Sequence, residues 1–81
     1  MNPQQINSAL AAARSHARFL QVSADKDAAT AAKIKADAGG SSLHPCDMAK
    51  ASNYEGAATA YRSGHKLMLQ VVEFLEEGGA A

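Results

Sequence analysis

Apolar residues recur along the first half of the chain at Ile6, Leu10, Ala13, Ala17, Leu20, Ala24 and Ala28. Steps of three and four return to one face of a helix that turns about 100° per residue. Asn2-Pro3 marks the start, because an asparagine side chain accepts from free backbone N–H groups and proline suits the first helical position. Ala28 to Ala38 is rich in strong helix formers, and Gly39-Gly40 supplies residues able to end the helix in a left-handed conformation. The weakest stretch is Gln21 to Asp27, where Ser23, Asp25 and Asp27 could cap a second helix and introduce a kink. In the second half Ala51, Tyr54, Ala58, Tyr61, His65, Met68, Val72 and Leu75 keep the same spacing. Pro45 and Asp47 suit its first turn, and Gly78-Gly79 closes it. The pattern predicts one domain: a helix over about 3–38, a turn over 39–44 and a helix over about 45–77.

Two long helices joined by so short a turn fold back antiparallel, since neither can bury its stripe alone. The fold class is therefore all-α, a two-helix antiparallel hairpin. Gly56, Ala60 and Gly64 recur every four residues and suggest a seam of small residues where the backbones approach closely. Leu67, Met68, Leu69, Val71, Val72, Phe74 and Leu75 form a patch wider than one partner helix can cover. With Ile6, Leu10, Phe19 and Leu20, it points to a subunit interface at the open end of the hairpin, and hence to a homo-oligomeric helical bundle.

Composition strengthens that expectation. Hydrophobic residues make up 47% of the 81, but nineteen of them are alanine, and only six leucines, three valines and two isoleucines supply branched core side chains. So thin a core favours oligomerisation. No apolar run approaches the length of a membrane span and no leader pattern is evident, while the single cysteine excludes an internal disulfide. A cytoplasmic protein without membrane contact is expected.

Eight basic and eight acidic residues cancel, which argues against a nucleic-acid polymer as partner. The cancellation hides segregation. Residues 1–24 contain Arg14 and Arg18 but no acid, and residues 56–72 contain Arg62 and Lys66 but no acid. Folding the chain about Ser41 sets 41 minus k opposite 41 plus k, which brings His16 near His65 and Lys66, and Arg18 near Gly64. Arginines beside histidines and a tyrosine suit phosphate, because guanidinium offers paired donors and an aromatic ring stacks on a base. The candidate ligand-binding set is Arg14, His16, Arg18, Tyr61, Arg62, His65 and Lys66, expected to sequester a phosphate-bearing small ligand without chemistry at a subunit interface, because a single two-helix hairpin has no enclosed cavity to bury it. Against it stands the plainer reading: solvated cations, tyrosines packed in the core, and His65 as a polar register-setting residue on the inner stripe.

His44-Pro45-Cys46-Asp47 gathers metal-ligating types but lacks the further ligands of a zinc site, and Cys46 lacks an oriented base, so the tetrad reads as a helix start. No metal, cofactor or enzymatic activity is expected.

The run Tyr54-Glu55-Gly56-Ala57-Ala58-Thr59-Ala60-Tyr61-Arg62-Ser63-Gly64-His65-Lys66-Leu67-Met68 resembles the second helix of small phage anti-defence proteins that sequester cyclic oligonucleotide signals. The likeness lies in the aromatic, the small residues and the polar-polar-glycine step before a Leu/Met-rich run, over about residues 54–75. The resemblance implies a helical homo-oligomer that holds a nucleotide immune signal between subunits without turnover. The competing class is a protein-protein inhibitor or adaptor that docks an exposed helical face on a host protein.

Overall fold

A computed structural model of the chain describes residues 2–37 and 44–78. Two helices account for nearly all of them: α1, Pro3–Asp37, and α2, Pro45–Glu76. They pack against each other along their length, giving a rod of 58 × 15 × 15 Å with a radius of gyration of 17.9 Å. A compact chain of this length has a radius of gyration of roughly 12 Å. The expected turn residues Gly39-Gly40-Ser41-Ser42, the helix end at Ala38 and the closing Gly79 lie outside the described residues.

The start of α1 is a reciprocal cap. Asn2 Oδ1 accepts from the Gln5 backbone N–H at 2.8 Å, and Gln5 Oε1 accepts from the Asn2 N–H at 3.0 Å, with Pro3 between them at the first helical position. No break occurs at residues 21–27. Ser23 and Asp27 stay inside a continuous helix, because Leu20, Ala24 and Ala31 all face α2 and a kink would turn one end of that stripe away from its partner.

His44 caps α2. Its Nδ1 accepts from the Cys46 N–H at 3.2 Å, Pro45 follows at the first position and Asp47 sits in the first turn. The His44–Asp47 tetrad is thus used as a helix start. At the other end Glu77 and Gly78 donate to the carbonyls of Glu73 and Leu75, and Gly78 takes φ +92°, a conformation favourable to glycine.

The inner surface follows the predicted stripes with one qualification: it is mostly alanine. Of the nine buried hydrophobic residues among those described, six are Ala13, Ala17, Ala24, Ala31, Ala51 and Ala58, and only Leu20, Val72 and Leu75 are larger. Ala13, Val72 and Leu75 anchor a cluster at the open end with Ala9, Leu10 and Met68 against it. The proposed glycine seam is corrected. A methyl group on Gly56 would meet nothing within 4 Å, and Ala60 is exposed. Gly64 alone of the three faces a neighbour, the Leu20 methyls, at 3.4 and 3.6 Å from a built Cβ. Close approach is achieved instead by the alanines, whose small side chains leave little room between backbones. Tyr54, assigned to the inner stripe from its spacing, is 39% exposed, because at this end the stripe narrows to Ala51 and Ala58.

Candidate functional site

Six of the seven candidate residues fall on two opposite flanks, and the seventh, His65, lies between them. His65 and Ala17 meet across the hairpin: the His65 Nδ1–H donates to the Ala17 carbonyl oxygen at 2.8 Å. This contact fixes the level at which the two helices face each other, and Leu20 beside Gly64 agrees with it. A register of about 100° per residue then assigns the flanks.

On one flank His16 stacks with Phe19, ring centroids 6.1 Å apart, and Phe19 meets Tyr61 edge-to-face at 6.4 Å. Tyr61 is partly buried, His16 is exposed and Phe19 is 57% exposed. Edge-to-face pairs of this kind are worth about 0.5–1.5 kcal/mol beyond the area they bury. The three rings form a ladder across both helices.

The opposite flank carries Arg14, Arg18, Arg62 and Lys66. Arg14 and Arg18 are four residues apart on α1, and Arg62 and Lys66 are four apart on α2, so each pair stacks along its own helix. The side is fixed by ion pairs, since Arg14 Nη2 donates to Glu76 Oε1 at 3.0 Å and Lys35 pairs with Glu55 on the same flank. Arg14 therefore has an acidic partner that the acid-free segments concealed: Glu76 lies outside residues 56–72 but reaches the α1 cation across the seam. Arg18, Arg62 and Lys66 are exposed and take no ion-pair partner among the described residues. His65 lies between the flanks with its Nδ1 already engaged.

Arg18, Arg62 and Lys66 are thus brought onto one surface, with Arg14 at its rim, whereas His16 and Tyr61 face the other way. One ligand on a single protomer does not reach both sets. A shallow groove of about 210 Å³ lies elsewhere, near the turn end, lined by Lys35, Met48, Ala51, Ser52 and Glu55. Among the described residues no three metal-ligating side chains converge, and no helix is long and apolar enough to cross a membrane.

No family model, no curated protein and no solved structure matches the chain.

Proposed function

We propose that the chain is a non-catalytic binding protein that self-associates and holds an anionic, phosphate-bearing small ligand, with a nucleotide signal as the leading candidate, against the face carrying Arg18, Arg62 and Lys66. The observation that carries this reading is the sharing of one flank by three cations from two helices, none paired with an acid among the described residues. Guanidinium groups present paired N–H donors that match phosphate oxygens, and the lysine adds a mobile point charge. Arg14 joins the set if the ligand displaces Glu76, whose exposed ion pair is of a kind worth at most about 1 kcal/mol. Relative to the seven-residue set, His16 and Tyr61 on the other flank and His65, whose Nδ1 is held by the Ala17 carbonyl, are left out of direct ligand contact. Sequestration without turnover is the mode of action, consistent with an anti-defence role for a phage-encoded protein in a host cytoplasm.

Calorimetry with cyclic di- and trinucleotides, mononucleotides, ADP-ribose and pyrophosphate tests it. At least one is expected to bind below about 100 μM, equivalent to roughly −5.5 kcal/mol. Arg62→Ala with Lys66→Ala should weaken that binding tenfold or more, since each charge-assisted hydrogen bond contributes about 1.5–3 kcal/mol. Unchanged affinity in the double variant, or no binding by any of the panel, overturns the reading.

A second reading is favoured by a separate observation. Phe19, Leu67, Val71 and Phe74 are all exposed, and an inhibitor or adaptor acting on a host protein would dock such a surface. It predicts that the purified protein is a monomer and that neutralising the cations leaves its action intact.

A further inference from the structure

Resting on the self-association proposed above, we infer that a second copy of this chain covers the aromatic flank at the open end of the hairpin, so that two hairpins close into a four-helix bundle with their basic faces outward. On α2 the residues Leu67, Val71 and Phe74 are spaced four and three apart, a second apolar stripe rotated away from the inner one of Met68, Val72 and Leu75. Leu67 is 61% exposed and Phe74 50%. On α1 the same flank carries Ala12, His16 and Phe19, and the edge-to-face contact of Phe19 with Tyr61 joins the two helices into one surface. Register places no Asp, Glu, Lys or Arg on this flank between residues 2 and 23 of α1 or between 57 and 78 of α2. That is a length of roughly 30 Å at 1.5 Å per residue. Charge returns in the turn-side half with Asp27 and Lys50, so the apolar surface has a defined end.

The exposed area is sufficient for such an occupant. The chain exposes 5725 Å², whereas a compact folded monomer of 8.4 kDa exposes roughly 4,600 Å². The excess of about 1,100 Å² is what one side of a stable dimer buries, commonly about 800 Å² or more. Need identifies it. Among the described residues only three buried side chains are larger than alanine, a poor core, and chains of this size commonly acquire the missing burial by oligomerisation. A partner that completes the fold must be present whenever the chain is folded, and a second copy is. A two-fold arrangement sets the same flank against itself, and a flank without formal charge does so without like-charge repulsion. The consequence for binding is one anion site per protomer, on the surface away from the interface.

Sedimentation velocity across about 1–100 μM tests this with four variants. The wild-type protein should sediment at twice the 8.4 kDa protomer mass. Leu67→Asp and Phe74→Asp should weaken the dimer by about 100-fold or more, the loss expected for a charge placed on a central interface anchor. Leu69→Asp, on the basic flank, should leave the dimer intact. Leu67→Ala, which keeps the helix apolar and well formed, should weaken the dimer about tenfold and guards against an aspartate variant that does not fold. A dimer that survives the Leu67 and Phe74 changes but dissociates on Leu69→Asp overturns the assignment of the flank and leaves self-association standing. A wild-type monomer at every concentration overturns both, and a monomer that pairs with a host protein hands the flank to that partner.

Discussion

Leu67 and Leu69 stand two residues apart on α2, one 61% exposed and the other 50%, yet they belong to different surfaces. Leu67 continues into Val71 and Phe74 on a flank that at this end of the hairpin carries no acid or strong base. Leu69 stands alone on the flank of Arg62, Lys66 and Glu76. Side-chain type therefore says little here, and the neighbours at three and four residues say a great deal. One exposed leucine among charges is ordinary on a protein surface. A run of apolar and aromatic groups from two helices is the mark of an interface. The hairpin thus has three separate zones: an alanine seam that joins the helices, an apolar flank that lacks a cover, and a basic flank that faces solvent.

The sharpest way to break this division is to disturb the seam without touching either flank. Ala24, 1% exposed, lies where α1 meets α2, and Ala24→Leu forces the backbones apart. The expected cost is about 1–3 kcal/mol, read as a lower midpoint in denaturant unfolding followed by circular dichroism. An unchanged midpoint would mean that the seam is loose and that the apolar flank, not the alanines, sets the spacing of the helices.

A smaller effect of opposite sign sharpens the contrast between seam and surface. Gly56 sits in a helix with nothing near its missing Cβ, so Gly56→Ala should stabilise the protein by about 0.5–1 kcal/mol through helix propensity alone. A loss of stability would place Gly56 in a close contact and restore a role for the Gly56-Ala60-Gly64 seam.

The sequence carried the two helices because their 3,4 spacing recurs for most of the length of each, and it carried both helix starts because Asn2-Pro3 and Pro45 have local signatures. It did not separate Ser23 and Asp27 as cap from Ser23 and Asp27 as helix interior, since that choice was made by the burial of Leu20, Ala24 and Ala31 against α2. The Gly56–Ala60–Gly64 repeat was misleading for a related reason. A four-residue period drifts around a helix, and only Gly64 stays near the contact. The candidate site was legible as a set of residue types and not as a place. Zero net charge and acid-free segments pointed to Arg14, Arg18, Arg62 and Lys66, but the flank on which each falls depends on the rotation of two helices about their own axes. The Arg14–Glu76 pair, 62 residues apart, escaped for the same reason. Folding about Ser41 sets residue 14 opposite residue 68, and two long side chains reach well past that level.

If a second copy finishes the fold, folding and association are one equilibrium. Thermal unfolding measured by circular dichroism over a hundredfold range of protein concentration tests it most directly, because a midpoint coupled to association rises with concentration and an isolated hairpin's does not. A single cooperative loss of helix is expected, with a Tm that climbs steadily from about 1 to 100 μM protein. A Tm independent of concentration across that range, with full helicity at its lowest point, would contradict it.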